Sequence, residues 1–177
     1  MIPAIVNRMF NTDIAANIGS HRVPTCWWAL VLRVMVGCGF MEHGFAKLSR
    51  GPGAFIAVLH ALAVPAPHVM AWATILVELL GGFAVLIGAF IWLVSVPMAA
   101  VLLVAMLTVH LPFGFSSIKL IAITNAGPQF GPPGYETALL YIACIAALNL
   151  GGSGPLSVEG LMARVRTSRS ADRPVVR

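Results

Sequence analysis

Four stretches of this chain are apolar over membrane-span length, at about residues 26–47, 68–90, 93–110 and 135–150. Polar residues, glycines and prolines collect between them and at both ends. A transmembrane helix needs about 20 apolar residues, with a range of about 17–25. The first three stretches meet that need, and the fourth stands near its lower limit. Residues 49–53 (SRGPG) read as a turn. Residues 54–63 predict a short helix near the surface that carries His60 and is ended by Pro65 and Pro67. Only Ile91 and Trp92 separate the second and third stretches, which forces an antiparallel hairpin. Pro97 then falls in the first turn of the third helix, where proline is tolerated. Residues 111–134 hold too many prolines and glycines to span, and predict a long loop folding back over the bundle. The pattern as a whole predicts an all-α membrane protein, an antiparallel four-helix transmembrane bundle.

The ends complete this organisation. In residues 1–24, Ile2, Ile5, Val6, Met9, Phe10 and Ile14 recur at helical spacing and predict a short interfacial helix. Asn7, Arg8, Asn11 and Asp13 interrupt the run, so it lacks the continuous apolar region of a secretory signal. The membrane domain is expected over residues 25–151, and an Arg-rich tail over 152–177. Arg8, Arg22 and the five tail arginines outnumber Lys47, Arg50 and Lys119 in the opposite loops. By the positive-inside rule, both termini are cytoplasmic.

Composition agrees: of 177 residues, 59% are hydrophobic and 10% charged, whereas a soluble domain is about one-quarter charged. The net charge of +5 comes mainly from arginines beside membrane spans. It therefore reads as topology and contact with the lipid bilayer, not nucleic-acid binding. Cys26, Cys38 and Cys144 include no C-x-x-C pair and read as small buried apolar residues. The five histidines show no ligand spacing, so no metal is expected.

The candidate chemistry lies in the first two spans. LRVMVGCGFMEHGFAKL, residues 32–48, carries Arg33, Glu42, His43 and Lys47, and the second span carries Glu78. A charge at the centre of a spanning helix costs about 2.5–3.5 kcal/mol on insertion scales, so such residues are paired, solvated in a cavity or used. At about 100° per residue, Arg33, His43 and Lys47 fall within an arc of about 80°, and Glu42 lies nearly opposite Arg33. The expected buried ion pair is Arg33–Glu78, with His43–Glu78 as the alternative. Glu78 and His43 are the candidate catalytic groups, since His donates and accepts protons near neutral pH.

At these residues the chain resembles the DoxX family of small bacterial membrane proteins. One motif is R-x3-G-x2-F-x2-H-G-x2-K-L, here Arg33, Gly37, Phe40, His43, Gly44, Lys47 and Leu48. A second is E-x2-G-G-x4-L-x-G, met approximately by Glu78, Gly81, Gly82, Leu86 and Gly88. A third, G-x-G-x-x-S-hydrophobic-acid, falls on Gly152, Gly154, Ser157, Val158 and Glu159, with Glu where Asp is usual. VPAPH looks like the family's G-h-P-x-P turn, with Ala63 where Gly is usual.

The resemblance implies a multi-pass protein of the bacterial inner membrane with links to redox chemistry, since a thiosulfate:quinone oxidoreductase has similar subunits. The expected function is a membrane subunit or scaffold of a redox or oxidative-stress complex, with a protein partner or a homo-oligomer. The alternatives are a quinone-linked oxidoreductase subunit and a small-solute carrier. No flavin, haem or nucleotide motif is visible. A quinone is then the one cofactor considered, with electrons coming from a partner.

Overall fold

A computed structural model of the chain describes residues 27–162 and 165. The interfacial helix expected over residues 1–24, and most of the Arg-rich tail, lie outside the described residues. Helix α1 runs Trp27–Ser49, with small residues at Gly37, Gly39 and Gly44 along its length. A short helix α2, Pro52–Ala61, starts on a proline as helices favour. Helix α3 runs Pro67–Ile87 and α4 runs Ile91–Phe113. Helix α5, Glu136–Gly151, is shorter. Three helices, α1, α3 and α4, are long and apolar enough to cross a membrane.

The expected loop over 111–134 differs from what forms. It contains an antiparallel hairpin, β1 Leu120–Thr124 and β2 Gly127–Phe130, with Thr124 opposite Gly127. Ile121, Ile123 and Thr124, all β-branched, supply the strand propensity. The stretch before it caps α5: the amides of Gly134, Tyr135 and Glu136 donate to the carbonyls of Ser116, Gly114 and Phe115. Ser117 Oγ accepts from the Thr137 amide at 3.2 Å.

The α3–α4 turn also sits earlier than the hydropathy pattern places it. Gly88, at φ +68°, ends α3, and Phe90, at φ +51°, starts α4 at Ile91. Pro97 therefore lies inside α4 and not in its first turn. Ala63 adopts φ +54°, a left-handed backbone that glycine takes without strain. This accounts for the glycine usual there in the resemblance.

The core draws on α1, α3, α4 and α5, with Val36, Phe40, Val85, Met98, Ile145 and Leu148 buried together. Glycine sets how closely the helices approach. A Cβ on Gly37 would stand 2.8 Å from the carbonyl of Gly82, and one on Gly82 would stand 2.8 Å from that of Gly37. The backbones of α1 and α3 therefore touch, as small residues permit in membrane bundles.

Candidate functional site

The antiparallel register of α1 and α3 decides which polar groups meet. Gly37 faces Gly82, Gly44 lies against Glu78 and Leu79, and Arg33 lies against Gly88. Glu78 is thus level with the C-terminal third of α1. Lys47 is one turn from Gly44, whereas Arg33 is about 16 Å from it along the axis.

The ion pair is accordingly Lys47–Glu78, with Nζ 2.5 Å from both carboxylate oxygens. Neither Arg33 nor His43 pairs with Glu78, which corrects both sequence-based pairings. Axial register is the reason: the glycine contacts set Glu78 level with Gly44 and Arg33 level with Gly88, ten residues further along α3.

Arg33 is buried and has a different task. Its five donors all reach backbone carbonyls: Nε to Val85 at 3.3 Å, and the terminal nitrogens to Leu86, Ser153, Pro155 and Leu156 at 2.8–2.9 Å. Val85 and Leu86 are in the last turn of α3, where unpaired carbonyls and the helix dipole favour a cation. Arg33 therefore ties α1, the end of α3 and the segment after α5 into one knot. Glu159 closes the same end by accepting from the Ile91 amide, 3.1 Å away, at the start of α4. A Cβ on Gly88 would meet Ser157 at 2.5 Å and Arg33 at 2.9 Å.

At the other end of the bundle, a cavity of about 260 Å³ lies between α1, α3, α4 and α5. Its polar lining is His43, Lys47, Glu78, His110, Thr137 and Tyr141. The structure thus brings together three of the sequence-predicted residues, His43, Lys47 and Glu78. Two are left out: Arg33 is at the opposite end, and Glu42 is exposed on the outside of α1.

Sequence reasoning missed His110 and Tyr141. His110 reads as an ordinary membrane-surface histidine, yet its Nδ1 lies 3.0 Å from the Pro133 carbonyl, and it lines the cavity. The ring of Tyr141 stacks edge-on to Phe40 with centroids 5.6 Å apart. Its hydroxyl occupies the place where a side chain at Gly39 would be. The available signal was Tyr141 itself, a polar-tipped aromatic one helical turn from Thr137 in an apolar helix.

Two features mark this cavity as more than a packing defect. Glu78 lies in a π-helical turn, Val77–Gly81, and His110 ends another, Met106–His110. Such turns are uncommon and concentrate at functional sites. In addition, His43 and Lys47 line a second cavity of about 310 Å³ between α1 and α2, with Arg50 and Phe55. Lys47 Nζ stands 5.1 Å from the Phe55 ring centre, a cation–π distance. One lysine and one histidine therefore line both cavities. Neither His43 nor the Tyr141 hydroxyl has a hydrogen-bond partner among the described residues.

The DoxX family model matches residues 28–111. No curated protein and no solved structure matched the chain. The matched stretch contains Arg33, His43, Lys47, Glu78 and His110, and so most of the cavity lining, whereas three of the five carbonyls that Arg33 reaches, those of Ser153, Pro155 and Leu156, lie beyond it. Residues 28–111 of this multi-pass membrane protein are thus a DoxX domain, consistent with a DoxX family protein.

Proposed function

We propose that this protein is a four-span subunit of a redox complex in the bacterial inner membrane, with both termini cytoplasmic, and that its polar cavity receives a quinone headgroup. The observation carrying this reading is the meeting of His43, His110, Tyr141 and the Lys47–Glu78 pair around about 260 Å³. That volume is slightly below the roughly 300–1,000 Å³ of drug-sized ligand sites, and so suits a headgroup with its tail outside. A quinone presents two carbonyl acceptors, and its reduction takes up two electrons and two protons. His43 and Tyr141 can donate to the carbonyls. Glu78 and His43 are placed to pass protons by way of the surface cavity they approach through Lys47. The electrons come from a partner protein, since the chain has no motif for a flavin, haem or dithiol centre.

Binding of a short-chain ubiquinone analogue to the nanodisc-embedded protein tests the reading. Each removed hydrogen bond, in Tyr141→Phe or His43→Ala, is expected to weaken binding about tenfold. If the wild type does not bind the analogue, or these variants bind equally well, the quinone reading is wrong. Proteoliposome uptake of a small solute that depended on Glu78 would favour a carrier instead.

A further inference from the structure

The cavity of about 310 Å³ between α1 and α2 is lined by three basic side chains, His43, Lys47 and Arg50, and by no acid. Phe55 and Val58 of α2 supply apolar wall beside them. The donors are not used up inside the protein. The side chains of His43 and Arg50 make no hydrogen bond or ion pair among the described residues, and both residues are exposed. Lys47 has three donors, and the two oxygens of Glu78 leave one over. Glu78 neutralises Lys47 from the far side, so Arg50 leaves the cavity with an uncompensated positive charge. The carboxylates of Glu136 and Glu159 are engaged elsewhere, by the amides of Ser117 and Ile91, and Glu42 is not in the lining.

Depth in the membrane says which anion answers that charge. Trp28, exposed near the start of α1, is of the residue type that collects at headgroup level. Arg50 stands about 33 Å further along the helix axis, just beyond the about 30 Å of hydrocarbon in a bilayer. It is therefore at the headgroup level of the opposite leaflet. Helix α2 beside it is apolar, and Val58 and Leu62 are exposed where acyl chains would lie. The anion found at that depth, with hydrocarbon attached, is a lipid phosphate. A guanidinium fork matches two phosphate oxygens, and a phosphodiester carries the single negative charge that Arg50 leaves unanswered.

We infer that this cavity binds the phosphodiester headgroup of an anionic phospholipid. Arg50 forks onto the phosphate, His43 and Lys47 donate beside it, and the acyl chains run along Phe55 and Val58. The site is independent of the quinone reading, since neither Arg50 nor any residue of α2 lines the inner cavity.

Native mass spectrometry of the full chain in a neutral detergent, titrated with dimyristoyl phosphatidylglycerol, tests this. One lipid is expected to stay bound above the non-specific background. Arg50→Gln should weaken that binding about tenfold. Arg50→Lys, which keeps the charge but not the fork, should weaken it about threefold. Both replacements break no contact within the bundle. Lys119→Gln, the same change of charge in the other loop at this end, should leave binding unchanged. An equal loss in Lys119→Gln would overturn the inference, because binding would then follow overall charge. Dimyristoylglycerol, which lacks the phosphate, binding as tightly would overturn it too. So would complete displacement of the lipid by millimolar inorganic phosphate, which would make the ligand a soluble anion.

Discussion

At the scale of single residues, buried Arg33 and half-buried Lys47 show that an intramembrane charge can be satisfied in two ways. Lys47 is a compact ammonium and uses one carboxylate. Arg33 has a planar fork of donors and uses five backbone carbonyls. Arg33→Lys keeps the charge but can make at most three of the five bonds. Stranded buried carbonyls cost about 1–3 kcal/mol each, so a loss of about 3 kcal/mol is expected. A fall in the thermal midpoint, with faster proteolysis near residues 152–162, would register it. Lys47→Met leaves the Glu78 carboxylate buried without its partner, at a cost of about 3–5 kcal/mol. The double variant Lys47→Met/Glu78→Met should recover most of that stability in a thermal scan while binding no quinone analogue. Ala63→Gly tests backbone strain. Relieving φ +54° should gain about 1 kcal/mol, seen as a raised midpoint.

At the scale of elements, the helices were legible because each is a long apolar run, and hydropathy responds to little else. The hairpin over residues 120–130 was not, because Gly, Pro and Asn around it signal breaks without saying what lies between them. The π turns were invisible for a different reason. They conserve composition and hydropathy and differ only in which carbonyl each amide chooses. The α1–α3 crossing depends on Gly37 and Gly82, whose Cα atoms face each other's carbonyls. Gly82→Leu should force these helices apart and strongly reduce accumulation in the membrane, as measured by immunoblot. Gly53→Leu, in open space, should leave the amount unchanged.

At the scale of the whole molecule, the protein divides its polar groups between two ends. One end is a knot in which Arg33 and Glu159 fasten the segment after α5 and the start of α4. The other is the cavity, with a surface neighbour that shares His43 and Lys47. The sequence by itself determined that the chain is a multi-pass helical membrane protein. It also determined that Arg33, His43, Lys47 and Glu78 carry its unusual polarity, because burying charge in an apolar run is costly wherever the helices lie. Only the tertiary structure decided which of those groups meet. Partners across an antiparallel pair depend on axial register, a slide of one turn is about 5.4 Å, and hydropathy is indifferent to that slide. The contacts of Gly37, Gly44, Gly82 and Gly88 fix it, giving Glu78 to Lys47 and the end of α3 to Arg33.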